Sequence, residues 1–237
     1  MPVSLKPLGL AIALVLLAAC NQAPPAAEAA EVDATAPAAT EATAPAMEAH
    51  DASAAAAAVP APQLQAAMRD LWHGHIVHAR DYALAVHAGD DDRATAAADA
   101  VVENAKQISA AVAGFYGDAG GDQMLALLAG HWGAIKAFTD ASAEDDEAAA
   151  TDAMADLTAN AGEIARFLAA ANPNLPEDTV RGLMLAHGAH HAQQVRQVMS
   201  GDDAGEARTW TAMQAHMDTI ADALAAAIAT QFPDKAS

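Results

Sequence analysis

Three histidines, His75, His131 and His187, stand 56 residues apart and then 56 again, each ending a short phrase. The phrases are Leu71-Trp72-His73-Gly74-His75, Leu127-Leu128-Ala129-Gly130-His131 and Leu183-Met184-Leu185-Ala186-His187. A recurrence of this length implies one supersecondary unit used three times. The spacing extends well beyond the histidines: Asp90, Asp146 and Asp202 keep it, as do Ile108, Ile164 and Ile220, and Asn104, Asn160 and His216. The one polar residue common to the three phrases is the type that serves as base, proton switch and metal ligand.

From residue 63 onward apolar residues recur at helical spacing, and no stretch alternates as a strand does. Leu64, Met68, Leu71, His75, Ala79, Tyr82 and Val86 form one stripe. Gly89-Asp90 ends it, and a second stripe runs Val101, Asn104, Ile108, Phe115. The acidic turn at Glu144-Asp145-Asp146-Glu147 and the break at Gly201-Asp202 divide the later helices in the same way. The expected fold is all-α: six helices in three antiparallel hairpins over 63–235. In each hairpin the turn lies midway between the histidine and its partner, which sets His75 level with Asn104, His131 with Asn160, and His187 with His216. At ~1.5 Å per residue this polar layer lies about 20 Å from the turns. Stacked in a row, the hairpins would separate the three histidines by roughly 10 Å. Closed around a pseudo-three-fold axis, they bring the histidines to one point. Closure is expected, because three units leave no place for distinct polar caps and every first helix carries the same inward stripe.

The residues before the bundle read differently. Leu8 to Leu17 is an apolar run too short to span a bilayer. Leu17-Ala18-Ala19-Cys20 resembles the lipobox of a bacterial lipoprotein signal. The resemblance implies a signal peptide over 1–19 and a lipidated Cys20, and Asn21 after the cysteine implies the outer membrane. Residues 20–62 are expected to be a tether: positions 21–60 hold nineteen alanines, five prolines and six acids, with no Lys or Arg. Prolines spread along such a segment break the helix that alanine favours. Cys20 is the only cysteine, so its lipidation removes any thiolate ligand, disulfide or cysteine nucleophile. The formal charge of −20 disfavours nucleic acid and anionic lipid as partners and favours cations or basic partners.

An imidazole buried without a partner costs ~1–3 kcal/mol, so the histidine layer must be satisfied internally or by something bound. Three imidazoles converging on one axis suit Zn²⁺ or copper, with His216 as a fourth ligand and Asn104 and Asn160 orienting the rings. His187 and His191, four apart on one helix, share a face and form a chelating pair in their own right. With no carboxylate on the stripe, Ca²⁺ and Mg²⁺ are not the expected ions. His73, His78, His87 and His190 read as surface residues. Met184, Met213 and Met217 flank the layer and suit copper, although methionine at this spacing is ordinarily packing. The alternative to metal is a scaffold or interaction protein whose His/Asn layer only fixes helix register, as buried polar residues do in coiled coils. Nothing resembles a phosphate loop, haem attachment or di-iron motif, and a hydrolytic metal site lacks an evident general acid.

From Leu71 to the end the chain resembles an uncharacterised family of small helical bacterial proteins, many without a signal peptide. The resemblance lies in Leu71-Trp72 with His75 and Arg80, Phe115-Tyr116-Gly117, Leu127-Leu128 with His131, and Asn160 with Phe167-Leu168. It continues through Asn172-Pro173, His187, Ala221-Asp222 and Gln231-Phe232-Pro233. It implies a helical fold and no particular activity. Arg80 and Asp222 match family positions, either as an ion pair or as separate surface residues, and the resemblance implies an acid before the repeated histidine, where this chain has Gly74, Gly130 and Ala186.

Overall fold

The computed structural model describes residues 61–236, and these are almost entirely helical. The expected signal peptide, Cys20 and nearly all of the expected tether lie outside the described residues. Six long helices follow one another: α1 (Pro62–Ala88), α2 (Asp91–Tyr116), α3 (Asp118–Ala143), α4 (Glu147–Ala171), α5 (Glu177–Ser200) and α6 (Asp203–Gln231). A single turn, α7 (Pro233–Ala236), ends the description.

The aspartates spaced 56 apart begin the second helix of each hairpin. Asp90 accepts a hydrogen bond from the Arg93 amide at 3.0 Å, Asp146 from Ala148 and Ala149 at 3.1 and 3.0 Å, and Asp202 from Gly205 at 2.9 Å. Each satisfies an amide that helix geometry leaves without a partner. The residue before each cap is left-handed, with φ of 65° at Gly89, 55° at Asp145 and 70° at Gly201. Glycine adopts that conformation freely; Asp145 adopts it against the repulsion of its own Cβ.

Consecutive helices pack along one another, and α6 returns to pack on α1. The first helices of the hairpins, α1, α3 and α5, also touch one another. The hairpins thus form a closed bundle and not a row. One apolar cluster gathers Met68, Trp72, Ile108, Met124, Ile164 and Leu224. Two more lie nearer the turns, around Tyr82, Val101 and Ile135 and around Phe138, Val195 and Val198. Met184, Met213 and Met217 belong to the first cluster. The histidine layer lies between these clusters along the helices.

Polar contacts fix the bundle at several heights. At the end away from the turns, Asn172 donates to the Tyr116 hydroxyl at 3.0 Å, and that hydroxyl donates to Gln231 at 3.1 Å. Gln231 donates in turn to the Ala171 carbonyl at 3.0 Å, and Phe232 packs edge-on to Tyr116. Nearer the turns, Arg80 grips Glu206 through two nitrogens at 2.6 and 2.9 Å, and Gln194 donates to the same carboxylate at 2.9 Å. This ties α1, α5 and α6 together. Of the two alternatives for Arg80 and Asp222, a mutual ion pair is not the one adopted. Asp222 lies in reach of Arg69, three turns earlier on α1, which pairs with it at 2.7 and 2.6 Å.

Candidate metal centre

His75 on α1, His131 on α3 and His187 on α5 meet where the three first helices touch, and each is 2–3 % exposed. The fourth imidazole of the group is His191, one turn after His187 and 3 % exposed. One ring nitrogen from each of the four lies within 4.8 Å of the others. Ring centroids are separated by 5.7 Å from His75 to His131, to His187 and to His191. The remaining separations are 5.4 Å for His131–His187, 6.2 Å for His131–His191 and 4.5 Å for His187–His191.

Four imidazoles around a tetrahedral ion at ~2.05 Å hold their centroids about 5.2 Å apart and their ligating nitrogens about 3.3 Å apart. The observed centroids scatter around the first value. The ligating nitrogens, all within 4.8 Å of one another, lie within about 1.5 Å of the second value.

The hydrogen bonds define which nitrogens remain free. Asn160 donates through Nδ2 to the Leu127 carbonyl at 3.0 Å, so its Oδ1 faces His131 Nδ1, 3.2 Å away, as an acceptor. His131 Nδ1 therefore carries the proton, and Nε2 carries the lone pair. Asn104 donates to the Leu71 carbonyl in the same manner at 3.0 Å. In this hairpin Asn104 Oδ1 and His75 Nε2 are both buried without a partner. His187 and His191 point their Nε2 atoms at each other across 3.1 Å, and His187 Nδ1 is buried without a partner. Two nitrogens at that distance either share one proton or direct two lone pairs at one ion.

Burial pushes the His75 imidazole down to about 3, helped by repulsion from His131 and His78. Burial also holds His131 down to about 4, partly opposed by the bond to Asn160. His187 and His191 lie well below the usual histidine range, first through burial and then through the neighbouring imidazoles. All four rings are neutral at pH 7, the form in which histidine binds metal.

His216 lies outside this group. It is half-buried, and its Nε2 donates to the Leu183 carbonyl at 2.9 Å. That is the contact Asn104 makes to Leu71 and Asn160 to Leu127, so the three second-helix residues perform one task. Its ring stacks on His187 at 6.4 Å, with its bonded nitrogen engaged by the backbone. Asn160 is placed to orient a ring, whereas Asn104 makes only the carbonyl bond. His191 was visible in the sequence as the partner of His187 at helical spacing. It does not follow the 56-residue register, where its counterparts are the buried Ala79 and Ile135.

The residues preceding the histidines also have a physical role. A Cβ on Gly74 would lie 2.9 Å from Asn104 Nδ2, and one on Gly130 would lie 3.2 Å from Asn160 Nδ2. The bare backbone at these positions lets the amide reach the carbonyl one turn back. In the third hairpin, where His216 replaces asparagine, the position is Ala186. Among the other histidines, His73 bonds Asp218 at 3.0 Å and His87 is exposed.

The fold and site together define an all-helical bundle with a buried four-histidine cluster of a kind able to hold a metal ion. Compared with known proteins, the chain matches no family model, no curated protein and no solved structure.

Proposed function

We propose that the bundle binds one transition-metal ion, Zn²⁺ or copper, through His75, His131, His187 and His191. The observation that carries this reading is the convergence of four buried neutral imidazoles whose ligating nitrogens lie within 4.8 Å of one another. Imidazole is a ligand of intermediate softness that suits zinc and copper. The absence of a carboxylate from the four-residue group argues against calcium or magnesium there. Binding would also satisfy the buried nitrogen of His75 and resolve the facing pair of His187 and His191. With every ligand 2–3 % exposed, the role is to hold or hand on an ion and not to transform a substrate.

The location belongs to the same proposal. The lipobox-like Leu17-Ala18-Ala19-Cys20 and the proline-broken, acidic stretch after it support a lipid-anchored protein. On this reading the bundle faces the periplasm from the outer membrane.

Elemental analysis of the purified full chain, with thermal melts under added Zn²⁺ and Cu²⁺, tests the metal reading. About one equivalent of metal and a raised melting temperature are expected, both lost in His191→Ala. A wild-type chain that carries no metal and melts at the same temperature with either ion refutes it. A second reading, a scaffold whose polar layer fixes register, has its own support. The bonds from Asn104, Asn160 and His216 to the Leu71, Leu127 and Leu183 carbonyls are complete without any ion.

A further inference from the structure

The third hairpin departs from the other two in one respect: it carries histidines from its surface to the buried cluster. His190, half-buried on α5, lies 5.3 Å from His216 on α6, centroid to centroid. His216 stacks on His187 at 6.4 Å with an interplanar angle of 18°. His187 lies 4.5 Å from His191. In the first two hairpins the place of His216 is taken by Asn104 and Asn160, both buried at 5 and 7 % exposure. The place of His190 is taken there by His78 and by the buried Ala134. Among the described residues, α5 and α6 carry a series of imidazoles in ring contact, His190, His216, His187 and His191, from the half-buried edge into the core.

Resting on the metal reading above, we infer that His190 and His216 form the route by which the ion enters and leaves the four-histidine site. Moving a bare cation through an apolar wall is costly, because its hydration is lost before new ligands replace it. Imidazoles spaced by one ring contact allow water to be replaced one ligand at a time. His190 and His216 meet the ion at the half-buried edge. His216 keeps its Nε2–H on the Leu183 carbonyl and offers the ion the lone pair of Nδ1. The ion then passes to His187, whose ring lies 6.4 Å from that of His216. His190 and His216 are positioning residues for transfer; neither belongs to the resting ligand set.

A route changes rates without changing equilibrium, and the test uses that difference. Trp72 packs edge-on to His75 at 6.2 Å, so Cu²⁺ arriving in the cluster will quench its fluorescence. Stopped-flow mixing of the full chain with Cu²⁺ gives the loading rate, and chelator chase gives the release rate. The double variant Ala186→Gly/His216→Asn reproduces the arrangement of the other two hairpins and is expected to fold normally. In it both rates should fall about tenfold or more, while stoichiometry stays at one and affinity within about threefold. His190→Ala should act in the same direction and, being half-buried, is the variant to use if the double one folds poorly. Unchanged rates in His190→Ala and in the double variant overturn the route. Loss of the bound ion in the double variant also overturns it, by making His216 a ligand. A wild-type chain that takes up neither Cu²⁺ nor Zn²⁺ overturns the route together with the metal site itself.

Discussion

Lowering the pH from 7 to 5 should destabilise the metal-free bundle sharply, and the size of the effect follows from the buried imidazoles. In the unfolded chain a histidine titrates near 6.5. In the folded bundle His75 titrates at about 3 and His131 at about 4. Because the folded values are depressed, the unfolded chain binds the extra protons between pH 6.5 and those values. Stability is therefore full above about 6.5, falls as the pH drops below it, and levels off below the folded values. Between pH 7 and pH 5 each group contributes a loss of about 2 kcal/mol, so this pair alone costs about 4 kcal/mol. His187 and His191 are depressed by the same burial. They add to this loss, against a whole stability of roughly 5–15 kcal/mol for many domains. The acidic balance of the chain acts with the opposite sign, since protonating some of its 31 Asp and Glu side chains relieves repulsion. Paired acids such as Glu206 and Asp222, whose partners hold them below the usual carboxylate range, weaken the fold only at lower pH. Urea unfolding followed by circular dichroism, with chelator present at pH 7, 6 and 5, measures the balance. The midpoint should fall at each step, and His131→Leu should remove about half of the loss assigned to His75 and His131. A midpoint that holds or rises between pH 7 and pH 5 refutes the claim that these rings are buried and neutral.

Three further outcomes are expected. Asp145→Gly should stabilise the bundle by about 1 kcal/mol in urea unfolding, because glycine adopts the left-handed turn conformation that Asp145 resists at φ 55°. Gly74→Ala places a Cβ 2.9 Å from Asn104 Nδ2 and should cost about 1–2 kcal/mol by breaking the bond to Leu71, whereas Gly130→Ala, at 3.2 Å, should cost less. In metal analysis, His191→Ala should abolish binding and His216→Asn should retain it; the reverse result would restore His216 as the fourth ligand.

Much of the bundle was legible in the sequence because its determinants are local. Helical spacing is set by 3.6 residues per turn, and Asp90, Asp146 and Asp202 cap helices through bonds to amides two or three residues away. The levels of the hairpin partners were also readable, since a tight turn fixes which residues lie opposite. The bonds from Asn104 to Leu71, Asn160 to Leu127 and His216 to Leu183 all span 33 residues. What the 56-residue spacing could not reveal was the choice of the fourth imidazole. That spacing identifies residues in equivalent positions, and His216 is equivalent to two asparagines that bind the backbone. His191 has no equivalent, and it enters the cluster because α5 presents both it and His187 to the axis.

The sequence alone therefore determined the helices, their ends, and the inward stripe carrying His75, His131 and His187. The tertiary structure decided that the hairpins close on themselves, that Arg80 pairs with Glu206 and Asp222 with Arg69, and that His191 completes the group of four. The difference has one physical cause. Helix formation and capping depend on neighbours within a turn, whereas ligand convergence depends on how three helices rotate against one another, and a single sequence carries no record of that rotation.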